Sequence, residues 1–205
     1  MPDIQGFQIP GSPGMLIRSK TFDKMLVANV RKVARFSLLF LITNTLATLN
    51  SATMNLIEGQ VLPDWEIKTL NNRIAPDLRS FQGAPLLILF FNLGCIACRG
   101  RAIPYSKRFS ELYPFLQVVC IHSNFKGIHY LPGQIASFIK KKGVQYPVFL
   151  DQGKKTYDKF HAEGTPHWLL ISSQGVLLKS IFGSMGNAIH RLDYGLTELF
   201  QKEAI

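Results

Sequence analysis

The run Leu86-Leu87-Ile88-Leu89-Phe90-Phe91 constrains this chain more than any other feature. It is apolar at every position, so an extended segment there has no polar face to show to water, and it is too short for a buried helix. Pro85 bounds it on one side and Asn92-Leu93-Gly94 on the other, which predicts a central strand covered on both faces. Immediately beyond stand Cys95-Ile96-Ala97-Cys98, opening a stretch to about Tyr113 that reads as a helix, with a kink expected at Pro104.

The other elements arrange themselves around that strand. Trp65–Leu70 alternates and runs into Asn71-Asn72, a strand ending in a turn, and Pro76–Gly83 reads as a short helical turn. Leu116–Ile121 is a second buried-type strand. Ile135, Phe138 and Ile139 share one helical face, and that helix should stop at Gly143. Val148–Leu150 reads as a short strand and Lys154–Phe160 as a short helix. Trp168–Ile171 and Val176–Phe182 form a hairpin through Ser173-Gln174-Gly175, and Ile189, Leu192, Leu196 and Leu199 mark a last helix. Strands alternating with helices, then a hairpin and a helix, predict an α/β fold: a central mixed sheet flanked by helices on both faces.

Residues 1–53 follow a different logic. Met1–Lys24 is rich in Gly, Pro and polar residues and has no sustained period. Arg31, Lys32 and Arg35 then precede an apolar run over residues 36–49, followed by the small residues of Asn50-Ser51-Ala52. Charged, apolar, small is the order of an export signal. As a membrane span the run is marginal, because a span needs about 20 mainly apolar residues and Thr43, Asn44 and Thr45 interrupt this one. The expectation is a leader over 1–53, signal or membrane anchor, ahead of a folded domain over 54–205 facing the periplasm. Translation from Met54 would instead give a cytoplasmic product.

Composition removes several classes. With 47% apolar and 18% charged residues the chain is not mainly disordered, and three cysteines are too few for a disulfide-stapled mini-fold. The net charge of +10 is scattered, its longest run being Lys140-Lys141-Lys142. No aromatic residues interleave with it as a nucleic-acid stacking platform requires, so no nucleic-acid partner is expected.

The cysteine pair carries the chemistry. At a helix N-terminus, unpaired amides and the macrodipole favour a thiolate. Cysteines at i and i+3 share one face of the first turn and can close a small disulfide. Cys95 is expected to be exposed and to attack a disulfide, and Cys98, facing the sheet, to resolve the mixed disulfide. A structural zinc site needs four ligands, and only Cys120 and five scattered His remain, so no metal is expected. Cys120, between Val119 and Ile121, reads as a small buried hydrophobe.

Gly164-Thr165-Pro166 directly precedes the strand beginning near Trp168. With the Cys-x-x-Cys and this proline in that order, and Leu78–Pro85 leading into the apolar strand, the chain resembles the thioredoxin superfamily. The likeness, over roughly residues 60–200, is to its TlpA-like and redoxin branch of thiol–disulfide oxidoreductases. The resemblance implies a thioredoxin-like fold, Pro166 in cis facing the cysteines, and Thr165 lending its backbone to an incoming peptide. It also implies protein disulfide substrates, a thiol electron donor and no bound cofactor. The chain departs from the pattern in three places. Gly94 stands where a Trp is usual, the helix proline falls one residue late, and Leu86–Phe91 carries no buried acid. His122, ending a strand, and His167, following Pro166, are candidate modulators, since a cationic imidazole would stabilise a nearby thiolate; a plain surface histidine is the alternative for both. Two other functions stay open. A thiol peroxidase of the peroxiredoxin type would need a hydroxyl where Cys95 stands and a proline where Phe91 stands. A thioredoxin-fold metallochaperone or adaptor would hold a soft metal through Cys95 and Cys98.

Overall fold

The computed structural model describes residues 58–125 and 128–203. The expected leader over 1–53, its apolar run over 36–49 and the boundary at residue 54 lie outside the described residues. Among those described, no helix is long and apolar enough to cross a membrane.

β1 (Ile67–Thr69), β2 (Leu86–Phe91), β3 (Gln117–His122), β4 (Val148–Asp151), β5 (His167–Ile171) and β6 (Leu177–Phe182) form one mixed sheet. Its order is β1-β4-β3-β2-β5-β6. β2 lies inside it, parallel to β3 and antiparallel to β5, and every one of its residues is buried. Its side chains alternate between two cores. Leu87, Leu89 and Phe91 pack with Cys98, Ile103, Phe109, Ile135, Leu192 and Leu196. Leu86, Ile88 and Phe90 pack with Trp65, Leu78, Phe149, Tyr157 and Phe160. Full burial of each such side chain contributes roughly 1.5–3 kcal/mol, which explains why no polar residue is found in the strand.

The two faces are covered unequally. The first carries the longer helices, α1 (Ile103–Leu112), α2 (Pro132–Lys142) and α4 (Gly186–Glu203). The second is closed by the 3₁₀ turn Leu78–Phe81, by Leu62 and Trp65, and by the short α3 (Lys155–Lys159). α2 ends where expected, at Gly143 with φ 65°, a left-handed cap that favours glycine.

Two elements differ in detail from the sequence reading. β1 is shorter than Trp65–Leu70, because the Glu66 N–H leaves the ladder and donates to Thr156 Oγ1 at 2.9 Å. At the other end a tight turn returns Arg73 to Thr69, with Asn72 at φ 63°. The helix after Cys95 opens with a π turn, Cys98–Ala102, before becoming α1. Pro104 leaves no room for regular i→i−4 bonding behind it. The Ile103 N–H accordingly reaches back to Cys98 O, so the expected kink takes the form of a widened turn.

Candidate active site

Three successive main-chain N–H groups between β2 and the helix, those of Leu93, Gly94 and Cys95, have partners, which is what fixes the loop. The Leu93 N–H donates to His122 Nε2 at 3.1 Å, Gly94 N–H to Asn92 Oδ1 at 2.7 Å, and Cys95 N–H to Asn92 O at 3.1 Å. Asn92 is itself anchored, its Nδ2 donating to Ser123 O at 2.7 Å. A Cβ at position 94 would meet Asn92 Oδ1 at 3.0 Å and the Tyr130 hydroxyl at 3.1 Å. Glycine therefore occupies this position because the loop is folded tightly onto both groups.

Cys95 then stands at the helix N-cap. Its half-buried Sγ accepts the Cys98 N–H at 3.1 Å, the bond a Ser or Asp cap makes to the third helical residue. The same sulfur donates to Thr165 O at 3.2 Å, and the Thr165–Pro166 peptide bond is cis. Cys98 is fully buried one turn on. Burial pushes its thiol far above the ordinary range and Cys95 adds to that, while the Asn92 backbone and the Thr165 side chain pull the other way. The arrangement provides one half-buried cysteine at the positive end of a helix and one fully buried, protonated cysteine a turn on. Cys95, Cys98, Thr165 and Pro166 are thus brought together.

The two histidines are placed at this end of the sheet but are not what the sequence reading expected. His167 is entirely buried, so the surface alternative fails, and His122 is 1% exposed. Burial lowers the pKa of each to about 4. Neither supplies positive charge at neutral pH; both are neutral hydrogen-bonding groups. His122 lies between the rings of Phe91 and Tyr130, and its Nδ1 has no hydrogen-bond partner among the described residues. Such an orphaned buried group costs about 1–3 kcal/mol. His167 Nδ1 accepts the Glu163 N–H at 3.2 Å, and its Nε2 bonds Ser180 Oγ at 2.9 Å.

Asn92 and Asp151 were not singled out from the sequence. Asn92 with Gly94 two residues on is a recognisable Asx-turn signal. Asp151 is buried and accepts from Ser123 Oγ and from the Thr156 and Tyr157 amides at 2.8–3.0 Å. Burial raises its pKa. It steadies Ser123, and through it Asn92, rather than meeting the cysteines. Cys120 sits opposite Leu89 in mid-sheet, where burial pushes its thiol up to about 12 and Tyr146 and Ser106 partly oppose the shift.

Comparison with known proteins agrees with this architecture. Residues 59–180 match the model of the AhpC/TSA family. Protein DipZ of Mycobacterium tuberculosis is 28% identical over 131 residues, covering 63% of this chain but only 18% of DipZ. The chain thus spans less than a fifth of that relative. Thiol-disulfide oxidoreductase ResA of Bacillus subtilis is 24% identical over 132 residues, 62% of this chain and 69% of ResA. Among solved structures, a putative thiol:disulfide interchange protein DsbE from Chlorobium tepidum superposes with a TM-score of 0.61 at 20% identity. It covers 70% of this chain and 98% of its own. The fold is therefore thioredoxin-like, and the chain belongs to the AhpC/TSA family.

Proposed function

We propose that this chain is a thiol–disulfide oxidoreductase that reduces protein disulfides, with Cys95 as nucleophile and Cys98 as resolving thiol. One observation carries the reading: Cys95 is only half-buried, and its Sγ accepts a helix N-terminal amide and lies 3.2 Å from the carbonyl before a cis proline. A charge-assisted bond from that amide stabilises negative charge on the sulfur during attack.

The Cys95 thiolate attacks one substrate sulfur, forming a mixed disulfide and expelling the other as a thiolate. Cys98 then loses its proton to that departing thiolate or to water and attacks Cys95 Sγ. The Cys95–Cys98 disulfide forms, the second substrate thiol leaves, and two electrons have passed to the substrate. Cys95 in the mixed disulfide no longer carries charge against Cys98, which removes one of the influences that keep the resolving thiol protonated. A thiol donor protein returns the pair to its reduced form, so no bound cofactor is needed.

Thr165 and Pro166 form the strip against which a substrate chain would lie. Exposed apolar groups nearby suit a polypeptide: Ile96 is 79% exposed, and Phe182, 51% exposed, packs against Gly164. A Cβ at 164 would overlap the Phe182 ring, so the glycine is required by that approach. The peroxidase alternative gains nothing from this arrangement, since the sulfur that would meet peroxide, Cys98, is the buried and protonated one.

Redox titration of the pair with mass-tagged thiols tests the proposal. A single two-electron transition in the reducing range, about −270 mV, is expected, and a potential above about −150 mV would rule out a reductase. Failure of Cys95 and Cys98 to form an intramolecular disulfide would remove the catalytic reading altogether.

A further inference from the structure

We propose that His122 and His167 are a matched pair of positioning residues, neutral imidazoles that each hold one of the two loops of the dithiol site by accepting a main-chain N–H. The inference rests on the reading of that site as a thiol–disulfide centre, and it assigns the two histidines a role other than charge.

The topology places them symmetrically. His122 ends β3 opposite Phe91, and His167 opens β5 opposite Phe90, so they flank the last two residues of β2 from either side. Each reaches an amide that no strand ladder serves. His122 Nε2 takes the N–H of Leu93, two residues before Cys95. His167 Nδ1 takes the N–H of Glu163, two residues before Thr165. The imidazole nitrogen replaces the carbonyl that a neighbouring strand would otherwise offer.

An amide N–H can only donate, so the nitrogen it meets must carry a lone pair. His122 therefore keeps its proton on Nδ1, which has no hydrogen-bond partner among the described residues, and His167 keeps its proton on Nε2, where it is donated to Ser180 Oγ. The two latches use opposite nitrogens and require opposite tautomers. Burial, which disfavours the imidazolium of both, is consistent with this. A buried Nδ1 with no side-chain or main-chain partner among the described residues, set beside Phe91 and Tyr130, costs more than an apolar ring in that space would, so core packing alone does not explain the imidazole. The Cys95 Sγ to Thr165 O approach joins the two latched loops, so their relative position sets the environment of the attacking sulfur.

The test uses side-chain amides as partial imidazoles in the full chain. A glutamine Oε1 falls near the place of histidine Nε2, and an asparagine Oδ1 near that of Nδ1. The readout is the single-turnover rate at which reduced protein attacks 5,5′-dithiobis(2-nitrobenzoate). His122→Phe and His167→Phe are expected to slow it about tenfold. His122→Gln and His167→Asn should restore it to within twofold, while His122→Asn and His167→Gln should not. This crossed rescue is something a merely structural role would not produce; equal rescue by both amides, or unaltered rates in the Phe variants, would overturn the proposal. Should the variants not fold, the imidazole ¹⁵N spectrum of the unmodified protein decides. It must show His122 protonated at Nδ1 and His167 at Nε2, and either one in the other tautomer refutes the latch. That spectrum does not depend on whether Cys95 and Cys98 exchange disulfides, so the two readings fail separately.

Discussion

Cys98 and Cys120 are both fully buried, and burial drives both thiols upward from their ordinary range. Their surroundings differ. Cys98 lies just past the end of the central strand, in a turn whose N-cap is another cysteine and beside the Thr165 side chain. Cys120 lies within β3, paired with Leu89, and its polar neighbours are the Ser106 and Tyr146 hydroxyls. Equal burial thus leaves one thiol adjacent to a reachable sulfur and the other sealed in the sheet. Position relative to a strand end, rather than exposure, is what separates the thiol proposed to resolve from the one proposed only to pack.

The sharpest way to break that comparison is to remove each sulfur in turn. Cys95→Ser should lower disulfide reduction at least about a thousandfold, about 4 kcal/mol of barrier, whereas Cys120→Ser should stay within twofold of the unmodified protein. Single-turnover assays with protein disulfides read both, and a comparable loss in Cys120→Ser would erase the distinction. Next in size, Cys98→Ser should trap the mixed disulfide on Cys95 and slow turnover about a hundredfold, since resolution then depends on an external thiol. Intact-mass analysis detects the adduct; its absence would mean that Cys98 does not resolve.

Acid sharpens the picture through the histidines. In the unfolded chain they titrate near 6.5, and in the folded protein near 4. Between those values the unfolded state binds more protons, so stability is complete above about pH 6.5 and falls as pH drops toward 4. Each histidine contributes a slope of up to about 1.4 kcal/mol per pH unit. Asp151, raised by burial, opposes this at the acid end, because its folded form takes up a proton first. Urea denaturation at pH 7 and pH 5 measures the fall, and a flat profile would contradict neutral buried imidazoles. The smallest effect belongs to Cys120→Ala, expected to cost about 1 kcal/mol and a few degrees of Tm without changing activity. An activity loss larger than the stability loss would reopen a redox role for Cys120.

Much of this molecule is legible from local patterns. The six apolar residues of β2 admit only a strand covered on both sides, and Gly143 announces a helix end in its own residue type. The Cys-x-x-Cys at a strand-to-helix junction and the Gly164-Thr165-Pro166 before β5 identify the candidate site and the family resemblance. The histidines are visible in the sequence as candidate modulators, but neither the cationic reading nor the surface reading foresees neutral, buried rings. Proximity to a dithiol suggests an imidazolium, while desolvation at 0–1% exposure decides for the neutral ring. Asn92 reads from sequence only as the end of the strand, and Asp151 carries no local signal, because a cap or a buried anchor is an ordinary polar residue until its partners are known.

Periodicity, turn chemistry and cysteine spacing act between residues a few positions apart, so the element order, the doubly buried central strand and the dithiol at its end are legible in the residues alone. Packing decided that Thr165 O meets Cys95 Sγ across 70 residues, that Cys98 is sealed while Cys95 is half-buried, and that two histidines on opposite sides of β2 each accept an amide of one loop. Those outcomes depend on strand register and on water exclusion, and both exist only once distant segments have packed together.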